Sequence, residues 1–266
     1  MQSIKKLDVL GLPIVDHCNL NCKGCYHFCT QGQKPSFRSL DVFSRDVKRF
    51  KELVNHIDWI KLYGGEPLLH PQLKECVYLL RQIYPYSEIC LMTNGLLIKS
   101  LDKETLNVLK ETEIKMDITV YPILEKKLSE VISVLQDNNI RININHVSEF
   151  GRRFNKKGDS NSKAVYRNCE MKICHYLQDG EFTMCPLPIF IRRYNELFGT
   201  DYDMSGDIIN IYDPKISYED LISFANRCHD CCKYCGETEL FPWSVGEANP
   251  PSSDWELEGM GDELNK

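Results

Sequence analysis

Three closely spaced cysteines lie near the start of the chain. Cys18, Cys22 and Cys25 fall in the segment HCNLNCKGC and are separated by three and then two residues. This spacing allows three thiolates from one short loop to converge on a single metal centre. Three ligands suit an iron–sulfur cluster with one coordination position left open, whereas a structural zinc site needs four. The spacing therefore favours an iron–sulfur cluster, and the alternatives are structural zinc and the use of Cys29 as a fourth ligand.

A second group of seven cysteines lies from residue 169 onward. An Asp-Gly pair at residues 179–180 predicts a hairpin between CHYLQ and EFTMC, which would return a cysteine to the distant segment CHDCCKYC. We predict that four of the seven bind a second metal centre. The favoured ligands are Cys174, Cys185, Cys232 and Cys235. Cys169 could replace Cys174, and either Cys228 or Cys231 could replace one of the later cysteines. Zinc is the alternative to iron.

The elements that must position these cysteines alternate between short apolar runs and longer amphipathic runs as far as residue 147. The short runs predict strands at residues 9–15, 59–63, 88–92, 115–120 and 141–147. The longer runs predict helices at residues 40–56, 71–83, 103–110 and 124–137. Such regular alternation predicts a parallel sheet with right-handed crossovers, which an open doubly wound sheet and a partial or full barrel would both contain.

The pattern changes after about residue 148. The polar segment GRRFNKKGDSNSK predicts a loop or linker. An irregular, tyrosine-rich stretch follows the hairpin, then a short helix at 218–225, and the chain is expected to be poorly ordered past Trp255. We therefore predict three regions: a core domain over residues 1–150, a metal-binding domain over residues 151–250 and a flexible tail over residues 251–266.

The composition is that of an ordinary globular protein of 266 residues, with 42% hydrophobic and 26% charged residues. It excludes disordered and collagen-like chains, and no apolar run approaches the roughly 18 residues needed to cross a membrane. The formal net charge of −6 supplies no overall positive field for nucleic acid. Thirteen cysteines, an odd number, cannot all form internal disulfides. Many reduced thiols predict metal binding in the cytoplasm, without a nucleic-acid or membrane partner.

Three motifs at successive strand ends resemble those of the radical S-adenosylmethionine (SAM) superfamily. CNLNCKGC follows the first predicted strand, GGEP at residues 64–67 the second, and TNG at residues 93–95 the third. Each lies at a carboxyl strand end, where parallel α/β sheets and barrels assemble active sites. The resemblance implies a partial (β/α)5-6 TIM-like barrel with a 4Fe–4S cluster whose open iron SAM would chelate. Reductive cleavage of SAM would give a 5′-deoxyadenosyl radical that abstracts hydrogen from a substrate.

The resemblance also implies which residues contact SAM. The glycines of GGEP would lie beside the methionine moiety, because glycine lets the backbone approach closely. Polar groups on the third, fourth and fifth strands would meet other parts of SAM or the substrate. The implied contacts are Gly64, Gly65, Glu66, Thr93, Asn94, Asp117 and Asn145. The chain departs from the family pattern at Gly24, where an aromatic residue is usual, so that Tyr26 or Phe28 would have to cover the adenine.

The carboxyl-terminal cysteines resemble the auxiliary-cluster extensions named SPASM and twitch. Their compact final group fits the shorter, twitch-type extension, which implies one auxiliary 4Fe–4S cluster. These features predict a radical SAM enzyme that receives electrons from a flavodoxin- or ferredoxin-type donor. We expect a small polar substrate of carbohydrate type that is oxidised, epimerised or dehydrated. The alternatives are a peptide- or protein-modifying enzyme and a non-catalytic, metal-stabilised binding module, and the sequence identifies no catalytic residue.

Overall fold

A largely parallel sheet forms the centre of the chain in the computed structural model, which describes residues 4–29 and 34–257. Within these residues the strands are β1 (Lys6–Val15), β2 (His56–Gly64), β3 (Glu88–Thr93), β4 (Lys115–Val120), β5 (Arg141–His146), β6 (Glu149–Phe154), β7 (His175–Gln178), β8 (Glu181–Thr183), β9 (Ile209–Asn210) and β10 (Cys235–Pro242). The helices are α1 (Leu40–Leu53), α2 (Leu73–Ile83), α3 (Lys103–Glu111), α4 (Leu128–Asp137), α5 (Ser162–Arg167), α6 (Leu187–Phe198) and α7 (Tyr218–Ala225).

The strand order of the large sheet is β5-β4-β3-β2-β1-β7-β8-β9. Strands β1 to β5 pair in parallel, with one helix in each connection between them. The sheet has two free edges, at β5 and β9, so it forms an open, partial barrel. This arrangement confirms the predicted α/β class. Because the five strands are parallel, their carboxyl ends lie along one edge, where the three predicted motifs fall.

The predicted hairpin at residues 179–180 is present as β7 and β8. Its first strand extends the main sheet, since β7 pairs in parallel with β1. Strands β6 and β10 form a separate antiparallel pair. The main sheet therefore continues beyond residue 150, and the division of the chain there into two domains stays a prediction.

The largest differences in helix bounds concern α1 and α4. The helix predicted over residues 40–56 ends at Leu53, because Val54 has extended backbone angles and His56 already pairs with Lys6 of β1. The helix predicted from residue 124 begins at Leu128, after a 3-10 turn at Glu125–Lys127.

Two segments predicted to be irregular contain regular elements. The first residues of GRRFNKKGDSNSK belong to β6, which β10 holds by antiparallel pairing, and Phe154 at its end is 3% exposed. The tyrosine-rich stretch contains α6, where the apolar residues Phe190 and Tyr194 recur at helical spacing and are each 1% exposed. Both corrections have one cause: these elements bury aromatic side chains against parts of the chain that are distant in sequence.

The first residues of the predicted flexible tail are ordered. Trp255 is 3% exposed, and its indole N–H donates a hydrogen bond to the carbonyl oxygen of Cys25 at 2.7 Å. It packs in an aromatic core with Phe28, Phe154 and Tyr194, separate from the larger core between the parallel sheet and its helices. Residues 258–266 of the predicted tail lie outside the described residues. In the part of the chain that is described, no helix has the length and apolarity to cross a membrane.

Candidate active site

The three sequence motifs meet at one cavity, here called the main cavity, at the carboxyl ends of β1, β2 and β3. Its volume is about 360 Å³. The predicted amino-terminal ligands and SAM contacts that line it are Cys18, Cys22, Cys25, Gly64, Gly65, Thr93 and Asn94. The parallel sheet thus brings together residues that are up to 76 positions apart in the chain.

The cysteine loop after β1 half-buries its three thiols and places N–H donors beside Cys18. Burial raises the pKa of Cys18 and of Cys22 to about 12. The backbone N–H of Leu20 donates to Cys18 Sγ at 3.4 Å, and the side-chain amide of Asn94 lies 3.8 Å from the same sulfur. Because metals bind thiolates, a cluster must replace the thiol protons, and neighbouring N–H groups would then stabilise the negative sulfurs.

The thiols are not arranged around one metal ion. Among the described residues, no three His, Cys, Asp or Glu side chains converge on a common point as the ligands of a single ion would. A 4Fe–4S cluster requires a wider arrangement, since each cysteine binds a different iron. Cys29 is 2% exposed, and its Sγ lies 3.5 Å from Arg193 Nη1.

The backbone at Gly64 and Gly65 leaves no room for a side chain. A Cβ at Gly64 would lie 2.1 Å from the carbonyl oxygen of Val15, and a Cβ at Gly65 would lie 2.1 Å from that of His17. The N–H of Gly65 donates to Val15 at 2.8 Å, and the N–H of Glu66 donates to His17 at 2.9 Å. The two glycines therefore allow the GGEP segment to lie directly against the start of the cysteine loop.

The Glu66 carboxylate is fully buried and joins the second and third strand ends. It accepts hydrogen bonds from the hydroxyl of Thr93 at 2.7 Å, the N–H of Asn94 at 2.9 Å and the N–H of Leu68 at 3.1 Å. Burial raises the pKa of Glu66 to about 7, although these hydrogen bonds favour its charged form. Glu66 is not one of the described residues that line the main cavity. Its direct contact with SAM therefore stays a prediction.

The other two predicted SAM contacts lie on β4 and β5. Asp117 accepts hydrogen bonds from the side-chain amides of Asn145 at 2.6 Å and Asn143 at 3.1 Å. The structure brings these residues together, but neither Asp117 nor Asn145 is among the described residues of the cavity wall, to which β4 contributes Thr119. Their contact with SAM or substrate remains a prediction.

Aromatic residues that sequence analysis does not identify also form part of the site. Tyr121, which follows β4, lines the main cavity with Phe150 of β6. The indole of Trp243 stacks on Tyr121, with ring centroids 5.1 Å apart and an interplanar angle of 15°. Tyr121 could have been found, because it directly follows a predicted strand. Phe150 and Trp243 depend on the pairing of β6 with β10, which no local pattern indicates.

The absence of an aromatic residue at position 24 has a structural reason. Gly24 has φ +65°, and a Cβ there would lie 2.8 Å from the ring of Phe241 and from the carbonyl oxygen of Asp254. The two aromatic residues expected to cover the adenine point elsewhere: Phe28 lies in the aromatic core, and Tyr26 lines a second, small cavity.

A carboxyl-terminal segment covers the cysteine loop. The backbone N–H of Lys23 donates to the carbonyl oxygen of Ser244 at 3.0 Å. The side-chain amide of Asn21 donates to the backbone carbonyl oxygen of Glu247 at 2.6 Å. With the bond from Trp255 to Cys25, these contacts hold the loop on its outer side.

The remainder of the main cavity wall is mostly apolar, with a few polar and aromatic residues. Lys61 of β2 places a positive charge there, and Tyr63 and Tyr176 contribute phenol rings with centroids 5.5 Å apart. The hydroxyl of Tyr63 is buried and has no hydrogen-bond partner among the described residues. Cys174, predicted as a ligand of the second metal centre, also lines this wall.

Six carboxyl-terminal cysteines interact electrostatically, each with at least one other of the group. They are Cys169, Cys185, Cys228, Cys231, Cys232 and Cys235. Burial, followed by the charge of Cys185, raises the pKa of Cys235 to about 12. The structure thus groups three of the predicted ligands with Cys169, Cys228 and Cys231. Cys174 lies at the main cavity beside Tyr63 and Tyr176, and the charges of Cys169 and Cys185 also act on Tyr176.

A hydrogen-bonded aspartate fixes the loop that carries the later cysteines. The carboxylate of Asp207 lies 3.1 Å from His229 Nδ1 and accepts the backbone N–H of Cys231 at 2.7 Å. Cys231 is 2% exposed and adjoins Cys185 and Cys232, so it stays an alternative ligand.

Comparison with known protein families decides the assignment. The family model described as the Radical SAM superfamily matches residues 12–171, which is more than half of the chain and includes all three motifs. The chain belongs to the radical SAM superfamily. It is therefore a radical SAM enzyme, and its superfamily uses a 4Fe–4S cluster and SAM.

Curated relatives of this radical SAM enzyme include GTP 3′,8-cyclases. The one from Clostridium perfringens (strain SM101 / Type A) is 30% identical over 160 residues, which cover 54% of this chain and 47% of the relative. The one from Aquifex aeolicus (strain VF5) is 29% identical over 136 residues, which cover 48% of this chain and 40% of the relative. The chain thus spans about half the length of the curated relatives it matches.

A solved structure similar to this radical SAM enzyme is that of BtrN in complex with AdoMet and 2-DOIA. The two chains superpose with a TM-score of 0.57 at 16% identity, covering 89% of this chain and 95% of BtrN. At this identity the likeness shows the fold, and it extends over the carboxyl-terminal, cysteine-rich part.

The donor set at the main cavity fits the cofactors of the superfamily. Three thiols suit a cluster with one open iron. The adjoining strand ends offer backbone without side chains at Gly64 and Gly65, together with the polar groups of Thr93 and Asn94.

Proposed function

We propose that this enzyme uses SAM to abstract a hydrogen atom from a small polar substrate of carbohydrate type bound in the main cavity. The wall of that cavity carries the proposal. Beyond the motifs it offers the hydroxyl group of Thr119, the ammonium group of Lys61 and the phenol rings of Tyr63 and Tyr176, set among apolar side chains. Hydroxyl groups can donate to and accept from a polyhydroxylated substrate, and an ammonium group suits an anionic substituent. Its volume of about 360 Å³ lies in the range of small-molecule pockets.

The residues of the motifs have separate tasks in this proposal. Cys18, Cys22 and Cys25 would hold the cluster, which when bound supplies the electron that cleaves SAM into methionine and the 5′-deoxyadenosyl radical that takes the hydrogen atom. Gly64 and Gly65 let the backbone approach the methionine moiety. Thr93 and Asn94 supply polar contacts, and Glu66 keeps their segment fixed against GGEP. Tyr121 and Phe150 exclude water from one side of the cavity.

A nucleotide is the second candidate substrate. The curated relatives are named GTP 3′,8-cyclase, and Lys61 would also suit a phosphate group. Because the chain matches only about half of those relatives, their activity does not transfer as a whole.

We also propose that Cys169, Cys185, Cys232 and Cys235 hold one auxiliary 4Fe–4S cluster. The interaction of Cys235 with the other three supports this set. Cys174, which lines the main cavity, and Cys228 and Cys231, which interact with Cys232, are the alternatives. An auxiliary cluster could accept an electron from a substrate radical, which would make the net reaction a two-electron oxidation. A flavodoxin- or ferredoxin-type protein would supply the electrons for SAM cleavage.

Iron content tests the ligand assignment. After anaerobic reconstitution, the wild-type chain should bind about eight irons, four in each cluster. Cys169→Ala should bind about four, whereas the matched variant Cys174→Ala should keep about eight. The reverse result would return Cys174 to the ligand set, and zinc in place of iron would overturn the auxiliary cluster.

A substrate panel tests the function. The reconstituted enzyme would be given dithionite, SAM and either sugars, sugar phosphates, sugar nucleotides or GTP, and 5′-deoxyadenosine and product would be measured by mass spectrometry. We expect a carbohydrate to stimulate cleavage and, if deuterated, to transfer deuterium to 5′-deoxyadenosine. Lys61→Gln should weaken binding of phosphorylated members selectively. Stimulation by GTP alone would favour the second candidate.

A further inference from the structure

Two buried donor groups near the carboxyl-terminal cysteines have no hydrogen-bond acceptor among the described residues. They are the hydroxyl of Tyr26 and Nε of Arg153. Buried polar groups in folded proteins are almost always hydrogen-bonded, and an exception suggests a further partner such as an ion or cofactor. Two exceptions at one place therefore need a common explanation.

Both residues adjoin the proposed auxiliary ligands. Tyr26 and Arg153 line the same small cavity as Cys235. Arg153 precedes Phe154, which lies opposite Cys235 in the pairing of β6 with β10. The charges of Cys169 and Cys235 both act on Tyr26, and the guanidinium of Arg153 interacts favourably with the same two thiolates. The two unpartnered donors thus lie beside two of the four cysteines.

Tyr26 also belongs to the other metal site. It directly follows Cys25 in the chain, and Cys25 lines the main cavity. One side chain therefore extends from the loop that would hold the SAM-binding cluster to the cysteines that would hold the auxiliary cluster. The backbone N–H of Arg153 approaches the Tyr26 oxygen, but the hydroxyl hydrogen has no acceptor among the described residues. Cluster sulfur is the acceptor that would satisfy it.

We propose that Tyr26 and Arg153 are positioning residues that donate hydrogen bonds to the auxiliary cluster and, through the Arg153 charge, raise its reduction potential. The inference rests on the proposed function, because it requires a cluster on Cys169, Cys185, Cys232 and Cys235. Reduction adds negative charge to a cluster, so a nearby cation and hydrogen bonds to sulfur favour the reduced state. Such an effect would help the auxiliary cluster to accept an electron from a substrate radical.

The test is a redox titration of the full, anaerobically reconstituted chain, followed by electron paramagnetic resonance. Arg153→Gln should make the potential of the auxiliary cluster more negative, and Arg153→Lys, which keeps a positive charge, should restore most of the shift. Tyr26→Phe removes only a hydroxyl group and should shift the potential in the same direction by less. Arg152→Gln is the matched control for the charge, because Arg152 is adjacent to Arg153 in the chain but pairs with Glu239 at 2.9 Å. Tyr86→Phe is the control for the loss of a tyrosine hydroxyl, because Tyr86 is 89% exposed.

The outcomes separate the inference from the function on which it rests. If the wild-type chain binds only about four irons, the auxiliary cluster and this inference both fail. The second outcome is that the wild-type chain binds two clusters but the reduction potential of the auxiliary cluster is unchanged by substitution. If this holds for Tyr26→Phe and for an Arg153 variant that keeps about eight irons, the inference alone is wrong. Equal shifts in Arg152→Gln and Arg153→Gln would also overturn it, since they would indicate a general effect of charge.

Discussion

The contact between Gly65 and the cysteine loop allows a quantitative prediction for Gly65→Ala. The added Cβ would lie 2.1 Å from the carbonyl oxygen of His17 and 2.9 Å from the backbone N of Cys18. A carbon and an oxygen approach no closer than about 3.3 Å without strain, so the GGEP segment and the loop would have to separate by about 1 Å. Neither neighbour is the flexible end of a side chain, and the strain must therefore be taken up by the backbone that carries the first cluster ligand.

The expected cost follows from comparable overpacked sites. Added methyl groups in closely packed regions cost about 1–3 kcal/mol, which would reduce the population of the cluster-competent loop by about 5- to 150-fold. A displacement of about 1 Å at a catalytic site can itself lower the rate by about 100-fold. We therefore expect Gly65→Ala to lower both iron content and 5′-deoxyadenosine formation without unfolding the protein.

Three measurements check this expectation: iron content after reconstitution, 5′-deoxyadenosine released with dithionite and SAM, and urea unfolding. Gly206→Ala is the matched control, because a Cβ at Gly206 meets no atom within 4 Å. It should leave all three measurements near wild type. Normal SAM cleavage and iron content in Gly65→Ala would show that the close approach of the two segments is not needed at the site.

Three further predictions concern the clusters and Glu66. Cys22→Ala should abolish 5′-deoxyadenosine release, because it removes one of three ligands; normal release would refute the first cluster assignment. Cys235→Ala should still cleave SAM but form no product once a substrate is known, and full turnover would show that the auxiliary cluster is dispensable. Burial raises the pKa of Glu66 to about 7, above its unfolded value of about 4.3. The folded state therefore holds this proton more tightly, and Glu66 should lower the free energy of unfolding by up to about 3 kcal/mol as the pH rises from about 4 to 7. Glu66→Gln should lose this part of the pH dependence in urea unfolding, and an identical pH slope in both proteins would contradict it.

The parts of the site that depend on the parallel sheet could be predicted from the sequence. The alternation of strands and helices indicates which residues end a strand, and parallel pairing places those ends along one edge. Cys18, Gly65 and Asn94 therefore lie together at the main cavity as expected. Here a local pattern is sufficient because the fold itself supplies the long-range contacts.

Other features depend on contacts that no local pattern encodes. The polar segment after residue 150 becomes a strand because β10, more than 80 residues later, pairs with it. The position of Cys174 in the wall of the main cavity is also set by tertiary packing, as are the hydrogen bonds that the Glu66 carboxylate accepts from Thr93 and Asn94. The roles predicted for Cys174 as a cluster ligand and for Glu66 as a SAM contact stay predictions.

The cover formed by residues 243–255 over the cysteine loop has a consequence for the order of events during protein synthesis. A ribosome releases Cys18, Cys22 and Cys25 more than 200 residues before Ser244 and Trp255. Until then the backbone groups of Lys23 and Cys25 lack the partners that they have in the finished fold. Iron delivered to the nascent loop would face water and oxygen on its uncovered side, so delivery after the later segment has docked would protect the oxygen-sensitive metal from the outset.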